Sequence, residues 1–180
     1  GVHIKGASFH LPVLTNKDLA AIKIVKKMKI NNFALSFTNS LKDVLYFNKI
    51  IPVGRKIIKI ETKQAINNIE KILKHCDEVL IDRGDLSKEL SIIDVPKEHR
   101  KIQKIANKKN KKVYIATNLL ESMVTKPYPT RAEINDIYNC LELGASGLVL
   151  AAETAVGKWP VECINIISDV IKSYDKTVKK

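Results

Sequence analysis

The chain has 180 residues, 45% of them hydrophobic and 28% charged, enough to enclose a core within one domain. No apolar run approaches the ~18 residues of a membrane span, and no signal-peptide pattern opens the chain, so a cytoplasmic protein is expected. An excess of 31 basic over 19 acidic residues gives +12 and raises a polyanionic partner. The lysines are spread along helical faces, as at Lys97, Lys101, Lys104 and Lys108, without recognition-helix, zinc-finger or RNA-binding-sheet patterns, so nucleic acid is not expected as a partner.

In chain order, residues 2–5 form a short extended piece broken up by Gly1, Gly6 and Pro12. Thr15 with Asp18 reads as a capping box, followed by Leu19, Ile22, Val25 and Met28 at helical spacing. A strand is predicted over 33–37. Ser40 and Asp43 then repeat the cap signal ahead of Leu41, Val44 and Leu45. A second strand over 56–61 alternates, with Ile58 and Ile60 on one face and Ile57, Lys59 and Glu61 on the other. Ala65, Ile66, Ile69, Ile72 and Leu73 predict the next helix.

The third strand is predicted over 78–86, an apolar run that empties into Asp82, Arg83, Gly84 and Asp85. Asp82 and Arg83 are expected to pair with each other near its end. Pro96 suits a first helical turn, with Ile102, Ile105 and Ala106 inward. The fourth strand spans 112–116 and ends in Thr117. Thr130 with Glu133 is a clear capping box, and Gly144 stops the helix it opens. A fifth strand over 147–151 leads to Glu153, and Pro160 opens a last helix with Ile164, Ile167, Ile171 and Tyr174 on one side. Cys76, Cys140 and Cys163 are unclustered and odd in number, which predicts reduced, buried thiols.

Strands and helices alternate about five times, the pattern of a parallel sheet with crossover helices and hence of an α/β fold, all or part of a (β/α) barrel. Parallel strands send their C-terminal ends to one face. Ser36, Lys59, Glu61, Asp82, Arg83, Asp85, Thr117 and Glu153 therefore converge without all being close in sequence. Glu61 and Asp85 can offer carboxylate oxygens to a hard divalent cation such as Mg²⁺. Lys59 beside them suits a substrate that gathers negative charge, above all a phosphoryl group in transfer; a plain salt bridge is the alternative. The backbone around Gly84 and Asp85 faces a helix start and could hold a substrate carboxylate. Thr117 offers a hydroxyl to substrate or to a proton-carrying water.

These blocks resemble a known family. Lys59-Ile60-Glu61, Arg83-Gly84-Asp85-Leu86 and Ala116-Thr117-Asn118-Leu119-Leu120-Glu121-Ser122-Met123 are similar, in order and spacing, to the central blocks of pyruvate kinase. Val95-Pro96, Pro129-Thr130-Arg131-Ala132-Glu133 and Glu153-Thr154-Ala155 continue the resemblance, which runs from about Leu11 to the last helix. It implies a partial TIM-type barrel of about five βα units filling 1–180 as one segment, without the family's lid and C-terminal regulatory domains. It also implies phosphoryl transfer from phosphoenolpyruvate to ADP, giving pyruvate and ATP in glycolysis, with Mg²⁺ or Mn²⁺. The implied roles are Lys59 for the phosphoryl group, Glu61 and Asp85 for the metal, Gly84 and Asp85 for the substrate carboxylate, and Thr117 beside the enolate.

Nothing matches the family's first three barrel strands, which carry an arginine and potassium ligands, so a K⁺ requirement stays open. The expected partners are the remainder of a larger chain or further copies of this one. The family pattern is altered at Thr38, Ser87, Asn118, Ala151 and Ala152. The departures at Thr38, Ala151 and Ala152 support a non-catalytic binding or assembly module; a metal-dependent lyase acting on enolpyruvate or oxaloacetate, which would keep the metal site but need no nucleotide, is a further alternative.

Overall fold

The computed structural model describes residues 11–178; the extended piece expected over 2–5 lies outside them. Five strands, β1 (Asn32–Leu35), β2 (Arg55–Ile60), β3 (Glu78–Asp82), β4 (Lys112–Ala116) and β5 (Gly147–Val149), form one sheet in the order β1-β2-β3-β4-β5. Every neighbouring pair is parallel. Strands that pair in sequence order, each joined to the next by a helical crossover, make an arc of a (β/α) barrel. This is the parallel α/β fold that the alternation predicted, in the partial form that the resemblance implied.

The helices start where short polar side chains can satisfy free backbone N–H groups. Capping boxes open α1 (Asn16–Lys27) at Thr15 and Asp18, α2 (Leu41–Ile50) at Ser40 and Asp43, and α7 (Arg131–Glu142) at Thr130 and Glu133. Gly144, at φ 83, ends the last of these in backbone that only glycine adopts freely. The helix expected over 65–73 is two short ones, α3 (Lys63–Asn67) and α4 (Ile69–Leu73). Asn68 separates them and donates through Nδ2 to the carbonyls of Asn39 and Gln64.

Four strand ends differ from expectation; β2 stops one residue early, at Ile60. β1 stops at Leu35 because Phe37 turns into left-handed backbone at φ 52. β5 stops at Val149, ahead of the short α8 (Ala152–Ala155). β3 stops at Asp82, four residues early, because Asp82 caps α5 (Arg83–Glu89) by accepting from Asp85 N at 3.4 Å. Charge thus moves from strand to helix without a loop, and α5 starts on the strand-end face.

Strand alternation divides the core. Ile58, Ile60, Val79, Ile81, Val113 and Ile115 are fully buried against helices that include α2, α4 and α6 (Asp94–Lys108). Each such side chain contributes roughly 1.5–3 kcal/mol by leaving water. A second cluster joins Leu119, Leu120, Met123, Ile137 and Leu141 to α9 (Pro160–Val178) through Cys163 and Val170. Ile167, Ile171 and Tyr174 pack there as expected, whereas Ile164 is exposed. α1 buries none of its residues and leaves Met28 exposed. All three cysteines are free and buried, and burial pushes the Cys76 thiol up to about 12. No helix of the described residues is long and apolar enough to cross a membrane.

Candidate active site

The opposite strand face carries Ile57, Lys59, Leu80, Asp82 and Ala116, which the register sets side by side: Lys59 against Leu80, and Asp82 against Ala116. The C-terminal end of this face is polar. Lys59 Nζ makes a close ion pair with Glu61 Oε1 and lies 3.1 Å from Asp82 Oδ2. Glu61 is 1% exposed and accepts from Phe37 N through its other oxygen at 2.5 Å. Phe37 itself sits in left-handed backbone, and its ring is exposed.

A lone ion pair pulls its carboxylic acid down and its amine up. Here both groups bind protons more tightly than usual. Burial raises Glu61, and the neighbouring Asp82 charge adds to it, against the opposing Lys59 contact and the Phe37 N–H. Burial acts downward on Lys59, but hydrogen bonds and charge from Glu61 and Asp82 outweigh it. Three carboxylates, Glu61, Asp82 and Asp85, thus gather at one end of the face beside Lys59. Carboxylate oxygens of Glu61, Asp82 and Asp85 all lie within 4.8 Å of one another. An all-oxygen, negatively charged set suits a hard divalent cation such as Mg²⁺ or Mn²⁺. Asp85 also pairs with Lys88 at 2.5 Å on the exposed side.

Asp82 is the residue that sequence reasoning misplaced. It does not pair with Arg83; it faces Lys59 through one oxygen and Thr117 Oγ1 through the other, at 3.3 Å. The strand period contains the signal, since Asp82 is two residues from Leu80 and so shares its face. Arg83 turns away to Asp136 Oδ2, at 2.6 Å.

Thr117 sits at φ 67 directly after β4, and its hydroxyl accepts from Gly84 N at 2.7 Å. Gly84 allows that approach, because a Cβ there would lie 3.2 Å from Thr117 Oγ1. The N–H groups expected to cradle a substrate carboxylate are thus internally engaged: Gly84 N by Thr117 and, more weakly, Asp85 N by Asp82. Ser36 is exposed at the end of β1. Glu153 is 1% exposed and gives both oxygens to backbone, accepting from Leu120 N at 3.1 Å and Ala151 N at 2.8 Å. It holds the loop after β4 against the end of β5. The structure therefore brings Lys59, Glu61, Asp82, Gly84, Asp85 and Thr117 together, with Glu153 bracing the loop after Thr117.

The family model described as pyruvate kinase, barrel domain, matches residues 1–164. The pyruvate kinase of Thermotoga maritima is 40% identical over 186 residues, covering 99% of this chain and 39% of that protein. The pyruvate kinase of Methanocaldococcus jannaschii is 37% identical over 180 residues, covering 98% of this chain and 40% of that protein. That of Candida albicans is 36% identical over 182 residues, covering 99% and 36%. The chain thus spans about two fifths of the length of the curated relatives it matches. On the family match and these identities, the chain belongs to the pyruvate kinase family, within its barrel domain.

Proposed function

We propose that this chain supplies the phosphoryl-transfer face of a pyruvate kinase, moving phosphoryl from phosphoenolpyruvate to ADP to give pyruvate and ATP, as a glycolytic step in the cytoplasm. One observation carries the reading: a half-buried lysine held between two carboxylates, Glu61 and Asp82, with a third, Asp85, within 4.8 Å of both. Glu61 and Asp85 would hold the divalent cation, with Asp82 beside them. When bound, Mg²⁺ or Mn²⁺ supplies charge neutralisation to the phosphoryl oxygens.

Lys59 presents its ammonium to the phosphoryl group as the bond to the enol oxygen breaks and the bond to the ADP terminal phosphate oxygen forms. Such a fixed cation is complementary to charge that moves during transfer. The enolate left behind gains a proton at its methylene carbon to become pyruvate. Thr117 Oγ1 is the hydroxyl assigned to that side, directly or through water. The amides of Gly84 and Asp85 would receive the substrate carboxylate in exchange for Thr117 Oγ1 and Asp82 Oδ1.

The test is pyruvate formation from phosphoenolpyruvate and ADP with Mg²⁺, using the full polypeptide that carries this chain. Lys59→Ala is expected to lower kcat by about 10²–10³-fold. Absence of turnover in the unaltered polypeptide overturns the proposal. The internal pairing of Gly84 N with Thr117 also supports a second reading, a non-catalytic module, which predicts cation or enolpyruvate binding without turnover. Pyruvate release from oxaloacetate without ADP would instead assign a lyase.

A further inference from the structure

Thr117 and Asn118 are consecutive non-glycine residues in left-handed backbone, at φ 67 and 54. A β-branched residue there is an outlier, and such backbone persists only where its surroundings impose it. Thr117 is held on one side by its own hydroxyl, which donates to the Ala116 carbonyl at 2.6 Å, and on the other by Arg83. Arg83 Nε and Nη2 donate to the Thr117 carbonyl at 3.2 and 2.8 Å, and Nη2 also donates to the Asn118 carbonyl at 3.0 Å. Nη1 is turned to Asp136 Oδ2 on α7 at 2.6 Å. The arginine is 9% exposed, so these acceptors replace water around most of the guanidinium.

With both carbonyls tied, the corner cannot relax into the extended backbone that threonine favours. Oγ1 then stays 2.7 Å from Gly84 N and 3.3 Å from Asp82 Oδ1, at the strand-end face. Arg83 is the first residue of α5 and Gly84 the next, so one short segment grips Thr117 from both sides. A planar fork can reach three acceptors from two elements; a lysine offers one point of charge and cannot reproduce the arrangement.

We infer that Arg83, braced by Asp136, is a positioning residue that sets Thr117 Oγ1 at the site. The kinetic arm of its test rests on the phosphotransfer reading; the hydrogen-exchange arm does not. In the full polypeptide, Arg83→Lys is expected to lower kcat about 10²-fold while KM for phosphoenolpyruvate changes by less than about twofold. Asp136→Asn should move kcat the same way by a smaller factor. In a Thr117→Ala background, Arg83→Lys should add little, because it acts through Thr117.

Hydrogen exchange of the Gly84 amide, which donates to Thr117, should quicken in Arg83→Lys and Asp136→Asn while Ile81 and Ile115 stay protected. The inference is overturned if both variants keep kcat within about twofold with unchanged Gly84 exchange. It is equally overturned if the Arg83→Lys and Thr117→Ala losses multiply, or if protection falls uniformly through β3 and β4. Should the unaltered polypeptide show no turnover, the phosphotransfer reading fails on its own. Gly84 exchange then decides the positioning role: quickened supports it, unchanged overturns it.

Discussion

Glu61 shows what a single carboxylate must satisfy here. One oxygen holds Phe37 N, the other meets Lys59, and the side chain is fully buried. Replacing it with glutamine keeps the shape and an acceptor for Phe37 N but removes the charge that would meet a cation. Glu61→Gln is expected to weaken Mn²⁺ binding by at least about tenfold, measured by calorimetric titration. Unchanged Mn²⁺ affinity would remove Glu61 from the ligand set. Individual roles of this kind were partly legible in the sequence. Lys59 lies at the end of β2, while Glu61, Gly84, Asp85 and Thr117 follow strand ends, and strand ends can be read from apolar runs. Asp82 was misread because a neighbouring Arg83 suggested a local pair, whereas the strand period sends the two side chains to different places. Glu153 also follows a strand end, yet its oxygens go to Leu120 N and Ala151 N. Nothing in residue type distinguishes a carboxylate that serves a loop from one that faces a site.

At the scale of elements, helix starts were the most legible feature, because a capping box is complete within four residues. Thr15, Ser40 and Thr130 all cap as expected. Strand ends were less so, since a ladder stops where its partner does, and β3 and β4 stop together at Asp82 and Ala116. α6 carries a feature that local pattern hid. His99 is buried among charged neighbours, and burial first, then Arg83, lowers it to about 4 from the usual 6.5, with Asp136 opposing. Its Nε2 has no hydrogen-bond partner among the described residues. The folded chain therefore keeps His99 neutral while the unfolded chain protonates it below about 6.5. The associated stability is fully present above pH 6.5 and is lost as pH falls from about 6.5 to about 4, to a total of about 3 kcal/mol. His99→Gln should flatten that part of the stability profile, measured by denaturant unfolding across pH. A profile identical to that of the unaltered chain would contradict the assignment.

The whole molecule is a sheet whose two described edges, β1 and β5, each pair on one side only. Ile57 and Leu80 on its inner face are half-buried. Parallel sheets are stable when both faces are covered and their edges are closed or protected. Residues 1–180 expressed alone are accordingly expected to self-associate with rising concentration, as measured by sedimentation velocity. A single monomeric species across the range would show that the arc is self-sufficient. The sequence by itself determined the α/β alternation, the parallel order and the residue types gathered at the strand ends, because periodicity and capping are local physics. Only the tertiary structure decided which of those groups touch. The contact of Lys59 with Asp82, the Gly84 approach to Thr117 and the grip of Arg83 on the corner after β4 join residues of different βα units. Contacts of that kind depend on ladder register and on left-handed backbone at Phe37, Thr117 and Asn118, which no short-range pattern in the chain announces.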